Sequence, residues 1–159
     1  MVEKKEELVE LILQLVATLS PQEKQKIISG LLEKKEGFPI SIFRSPLSGL
    51  EAITVYLKEQ QGKSITEIAS LLHRQKSTIY TTYQKAKKKW PGKIDLSDSS
   101  ITIPYEIFAD RKFAVLESLV AYLKEEMNLP LVKISTLLNK KYSTIRTVYV
   151  RYKIKNGKK

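Results

Sequence analysis

The chain has 159 residues, enough for one domain or two small ones, and its 42% hydrophobic content sustains packed cores, which excludes a wholly disordered polymer. Twenty-eight Lys and Arg against 17 Asp and Glu leave a net charge of +11, so an anionic partner is expected, nucleic acid before a membrane surface. With no cysteine in the chain, disulfides and cysteine-based zinc sites are excluded and a reducing cytosol is favoured.

The first segment, MVEKKEELVELILQLVATLS, begins with acidic residues, and Glu10 and Gln14 interrupt its apolar run. A signal peptide wants a basic start and an unbroken apolar stretch, and no stretch approaches the ~18 apolar residues of a membrane span. An intracellular chain without a membrane partner is therefore expected. Leu8, Leu11, Ile12, Leu15 and Leu19 recur at helical spacing. Ser20, Pro21 and Glu23 then supply an N-cap, a first helical residue and a capping box for a second helix carrying Ile27, Ile28, Leu31 and Leu32. Residues 1–36 thus predict a helical hairpin of net charge −1, with two apolar faces that it cannot bury alone. Packing against a second chain, giving a homodimer, is favoured over capping the next unit, and its Glu-rich polar face argues against lying on anionic lipid.

Residues 37–90 predict a first three-helix unit. Leu47, Leu50, Ile53 and Leu57 mark one helix, ended at Gly62; Ile65, Ile68, Leu71 and Leu72 mark a short second helix capped by Ser64. A turn opening on His73 leads to Ser77, read as the N-cap of a third helix whose inner face is Ile79, Tyr83, Ala86 and Trp90. Residues 91–102, PGKIDLSDSSIT, are polar and turn-rich and read as a linker of twelve residues. Such a linker extends to ~40 Å, against ~34 Å between successive major grooves on one face of DNA.

Residues 103–159 predict a second unit with a basic tail, and the reason is a repeat. Residues 50–87 and 116–153 align without a gap and share fifteen of 38 positions, including YLKE, a paired Leu-Leu and Ser-Thr-Ile. Upstream, FPISIF at 38–43 matches TIPYEIF at 102–108 after one inserted residue. The second copy repeats the apolar stripe (Phe113, Leu116, Leu119, Leu123), the helix stop (Asn128) and a second helix (Leu131, Ile134, Leu137, Leu138) with Pro130 at its first position. The turn residue is Asn139, the cap Ser143, and the inner face Ile145, Tyr149 and Tyr152. Two copies are too few for a solenoid, and they read as two small domains of one fold. The expected fold class is all-α, an N-terminal hairpin followed by two tandem helix-turn-helix units.

The stretch ITEIASLLHRQKSTIYTTYQKAKKK resembles the helix-turn-helix of region four of bacterial sigma factors. It is also similar to homeodomain-like domains of some transposases. The shared pattern is I-A-x-L-L, a short turn, Ser-Thr-Ile and a basic helix; the second copy departs from it with Ser135 where the first has Ala69, which predicts a looser helix crossing. The whole repeat is similar to small uncharacterised archaeal proteins with tandem units of this kind. The resemblance covers roughly residues 38–90 and 103–155 and implies double-stranded DNA binding.

On that reading the third helices, 76–90 and 142–155, enter the major groove. Tyr80, Thr81 and Gln84 in the first and Tyr142, Arg146, Thr147 and Val150 in the second face outward and are the candidate base readers. Arg146 suits guanine, Gln84 adenine, and the threonine methyls thymine. Arg74, Lys76, Ser77, Lys85, Lys88, Lys140, Lys141, Ser143, Arg151 and Lys155 are the candidate phosphate ligands. No acidic residue lies between Glu67 and Asp95 or after Glu126, as suits a surface against a polyanion. Glu51 and Glu117, at matching first-helix positions, are expected to pair with the basic helix of their own unit. The lone His73 is a turn residue, and nothing in the sequence points to an enzyme, a metal, a cofactor or a small-molecule ligand. The expected function is sequence-specific transcription regulation in a cytoplasmic, nucleoid-associated setting. A protein-binding adaptor, an RNA binder and the DNA-binding accessory of a transposition system are the other readings.

Overall fold

One proline closes the entry to each repeat, Pro39 and Pro104, and it biases the residue before it, Phe38 or Ile103, to extended backbone, so that Gly37–Pro39 and Thr102–Pro104 run extended. In the computed structural model, which describes residues 2–32 and 36–157, these two segments are strands β1 and β2 of an antiparallel ribbon. Most of the remaining described residues are helical, so the all-α class holds, with this small ribbon added. Eight helices occur among the described residues: α1 (Val2–Ala17), α2 (Pro21–Leu32), α3 (Gly49–Val55), α4 (Ile65–Leu71), α5 (Lys76–Lys89), α6 (Val115–Ala121), α7 (Leu131–Leu137) and α8 (Tyr142–Lys155). Short 3₁₀ turns at Ile40–Arg44 and Tyr105–Phe108 follow the strands. No described helix is long and apolar enough to cross a membrane.

The chain divides into two compact units, residues 1–35 and 36–159. In the first, α1 and α2 form the hairpin, and its capping box is complete. The Ser20 amide donates to Glu23 Oε2 at 2.9 Å and the Glu23 amide to Ser20 Oγ at 3.3 Å. Leu8, Leu11, Ile12, Leu13 and Leu15 all remain strongly exposed. The side chains of Leu31 and Leu32 lie outside the described residues, as do Lys158 and Lys159 of the basic tail.

In the second unit, the local signals act where the sequence puts them. Ser64 and Glu67 close a reciprocal capping box on α4, and Ser48 and Glu51 close one on α3. The YLKE shared by both repeats widens the last turn of α3 and of α6 into a π-turn, at Tyr56–Gln60 and Tyr122–Glu126. Gly62 and Asn128 then take φ of 63° and 53°, and the Lys63 and Leu129 amides reach back to the Leu57 and Leu123 carbonyls, both at 3.0 Å. The turns between α4 and α5 and between α7 and α8 close alike. His73 and Asn139 sit at φ of 49° and 51°, and the Arg74 and Lys140 amides bond the Ala69 and Ser135 carbonyls at 2.8 and 2.9 Å. Ser135 is buried in the slot Ala69 holds in the first copy, its hydroxyl turned back to the Val132 carbonyl at 2.6 Å.

Three boundaries differ from the sequence reading. Gln75 and Lys141, both extended, are the N-caps of α5 and α8, so Ser77 and Ser143 fall inside the first turn and cap nothing. Pro130 is the N-cap of α7 and Leu131 its first residue. Trp90 lies past the end of α5 at φ −141°, ψ 91°, and is exposed instead of completing the buried face.

The larger difference concerns the connection between the repeats. Residues 37–90 and 103–157 belong to one unit with one continuous hydrophobic cluster. Phe38 is fully buried, with ring centroids of Phe43, Tyr56, Tyr105 and Phe108 within 6.3 Å, so it packs against both copies. Segment 91–102 is no extensible tether. Ile94 is buried, and the Ile101 and Asp98 carbonyls accept from the Ile40 and Ser41 amides at 3.0 and 3.4 Å. Arg44 pairs with Asp98, and its Nε donates to the Leu137 carbonyl at the end of α7 at 2.8 Å, clamping copy one, connection and copy two together.

Phe108→Ala should therefore cost ~3–5 kcal/mol and loosen both copies at once. Hydrogen exchange would show protection falling across 37–90 as well as 103–157; a loss confined to the second copy would contradict a shared core.

Candidate nucleic-acid interface

Helices α5 and α8 are held from behind. Ile79 and Ala86 bury one side of α5, Ile145 and Val148 one side of α8, and these helices pack on α3 and α6 respectively. Val148 was not on the inner face expected from the sequence; it falls between Ile145 and Tyr149 on the same side. Tyr83 and Tyr149 are partly buried and donate their hydroxyls to Glu59 and Glu125 at 2.9 and 3.0 Å. Burial, then the neighbouring carboxylate, pushes both phenols up from their ordinary value, so they stay protonated donors.

The acidic residues close to these helices are gathered on the packed side. Glu51 takes Lys89 at 3.1 Å, Glu59 takes Lys87 at 2.9 Å, Glu117 takes Lys155 at 2.7 Å, and Glu125 lies 4.0 Å from Lys153. The expected pairing of Glu51 and Glu117 with their own basic helices is thus present. Each repeat neutralises two lysines from behind and leaves the outward cations alone. Among the described residues, Lys76, Lys85, Lys88, Arg146 and Arg151 form no ion pair.

All seven candidate base readers are exposed: Tyr80, Thr81 and Gln84 on α5, and Tyr142, Arg146, Thr147 and Val150 on α8. Thr147 donates its hydroxyl to the Ser143 carbonyl at 2.9 Å. Of the phosphate candidates, Lys76, Ser77, Lys85, Lys88, Lys141, Ser143 and Arg151 are exposed on or beside the same faces. No side chain caps α5 or α8, so the amides of both first turns are open to an acceptor from outside. Lys155 is placed differently, its ammonium held by the buried Glu117.

Arg74 and Lys140 point to a feature the sequence does not display. They line one cavity of about 500 Å³ together with Arg111 and Lys112 and the starts of α3 and α6. Arg74 Nε is buried there with no hydrogen-bond partner among the described residues. Comparing the repeats hides Arg111 and Lys112, because the residues ahead of α3 at the matching place, Ser45 and Pro46, carry no charge. Among the described residues no group of three or more His, Cys, Asp or Glu is placed to hold a metal. No protein-family model, curated protein or solved structure matches this chain.

Glu51 and Glu117 also contribute to the acid response. Burial raises each carboxyl, but a backbone amide (Ser48 or Ala114) and a lysine (Lys89 or Lys155) outweigh it, leaving both below the ordinary glutamate value. Their contribution is complete above the unfolded value of ~4.3 and is lost as pH falls through the lower folded values. Thermal melts from pH ~6 to ~3 should fall less steeply for Glu51→Gln/Glu117→Gln than for the parent; equal slopes would remove these pairs from the account.

Proposed function

We propose that this protein is a sequence-specific double-stranded DNA-binding protein, a transcription regulator reading the major groove with α5 and α8. The observation that carries the reading is the segregation of charge on both helices. The lysines facing the protein are matched by glutamates, while the outward faces bear exposed Lys, Arg, Gln, Thr and Tyr with no acid among them. Matched charges on one side and unmatched cations on the other suit a helix that binds a polyanion on one face only. The left-handed turns at His73 and Asn139 support it, since they set each third helix against the one before as a helix-turn-helix requires.

Selection from a random duplex pool at ~150 mM salt, then titrations of the winner and a scrambled duplex across salt, tests this reading. A bound motif at least ~10³-fold preferred over the scramble is expected. Arg146→Ala should cost ~1–3 kcal/mol and relax one base position. Lys88→Ala should weaken every sequence alike and reduce the salt slope by about one. Binding that fades with salt and shows no preference would leave the adaptor or coating roles.

The hairpin supports a second element of the proposal, a homodimer. The apolar residues of α1 are exposed on the hairpin itself, and two such hairpins supply the four helices of a bundle. Sedimentation should give twice the chain mass, and Leu11→Lys/Ile12→Lys should give one chain with unchanged helix content. A parent that sediments as a single chain at ~100 times the concentration needed for DNA binding would end that part of the proposal.

A further inference from the structure

The two repeats meet through their own counterparts. In the alignment Phe38 corresponds to Ile103 and Pro39 to Pro104; in the ribbon Phe38 pairs with Ile103, Gly37 with Pro104 and Pro39 with Thr102. Phe43 corresponds to Phe108, and their ring centroids are 5.9 Å apart. Gly49 corresponds to Val115, and a Cβ added at Gly49 would stand 2.9 Å from that of Val115. Arg74 corresponds to Lys140, and both line the one basic cavity, as do the counterparts Leu50 and Leu116.

A residue touches its counterpart only where the operation relating the copies leaves position almost unchanged, which is on a rotation axis. A tandem shift would instead place counterparts one repeat's width apart throughout. The antiparallel direction of β1 and β2 fixes the rotation as a half-turn. One chain therefore contains the symmetry that a homodimer usually supplies. The turns that lead into α5 and α8 both border the cavity on that axis through Arg74 and Lys140, and Lys155, the last residue of α8, lines it beside Arg111 and Lys112.

We infer that a single chain takes one DNA duplex whose two half-sites are inverted about a common centre, with the basic cavity facing the backbone phosphates there. This rests on the DNA-binding reading proposed above and goes further by fixing half-site orientation. The half-sites are unequal, because α5 presents Lys76, Tyr80, Gln84 and Lys85 where α8 presents Tyr142, Arg146, Val150 and Arg151. A natural target would not look palindromic, so inspection of it cannot reveal the inversion.

Making the two helices alike would reveal it. The variant Lys76→Tyr/Tyr80→Arg/Gln84→Val/Lys85→Arg/Lys88→Ile gives α5 the outward face of α8, Thr81 and Thr147 already agreeing. Selection with this full-length variant should enrich a motif whose halves are reverse complements, at the parent's spacing. A duplex with one half flipped should bind at least ~10-fold more weakly. A direct repeat, or a single half-site with the second helix left free for another duplex, would overturn the inference. A DNA-independent arm uses the absence of native cysteine. Arg74→Cys/Lys140→Cys, and separately Ser48→Cys/Ala114→Cys, should close within one chain with a short bis-maleimide. Failure of both pairs overturns the half-turn. Ready closure with no enrichment by parent or variant would mean that DNA reading itself has failed, taking the inverted site with it while the half-turn stands.

Discussion

Everything beyond the first hairpin depends on the pairing of Gly37–Pro39 with Thr102–Pro104. Three residues on each side make a poor sheet, and alone such a ribbon would not persist in water. It persists because Phe38, at its middle pair, is fully buried among aromatic rings from both repeats. The approach is so close at Gly37 that a Cβ there would lie 2.5 Å from the Ile103 carbonyl oxygen. Backbone pairing and aromatic packing thus fix one geometry between the halves, and each half then orients its own helices by local rules. A small unit of three short helices gains from this, since doubling the unit raises the fraction of surface it can bury.

The local rules are the part that was legible in the sequence. Positive φ at Gly62, His73, Asn128 and Asn139 depends on one residue each, and glycine, asparagine and histidine tolerate it. Reciprocal capping by Ser64 and Glu67 depends on two residues three apart. The outward face of each third helix depends on period alone, and all its named readers lie exposed. What was hidden required contacts between residues some 65 positions apart. The ribbon carries proline in both strands and has no alternation to betray it, while the connection looked like a tether because its polar residues outnumber Ile94 and Ile101. In fact those two isoleucines and Asp98 anchor it to the first copy. Ser77 and Ser143 misled for a related reason, since a serine two residues past the true cap satisfies the same pattern.

The glutamates show how one residue type serves two ends. Glu51 and Glu117 complete the first turns of α3 and α6 by accepting from the Ser48 and Ala114 amides, and the same oxygens take Lys89 and Lys155. The helix that supports and the helix that is presented are thereby joined at a single carboxylate. Because each glutamate occupies the matching place in its repeat, the two units are braced alike even where their exposed faces have diverged.

That divergence has a consequence for how such a molecule changes over time. In a homodimer every substitution is made twice, so a new contact must suit both halves of a target together. Here α5 and α8 are encoded separately, while the axis relating them is built into one polypeptide. A substitution at Gln84 alters one side and leaves Val150 untouched. Under the proposed reading, recognition can be revised one half at a time. The paired binding surface also forms at any dilution, because no second chain has to arrive before both helices are in place. Under the same reading, one chain can occupy one duplex whether or not its hairpin has paired with that of another chain.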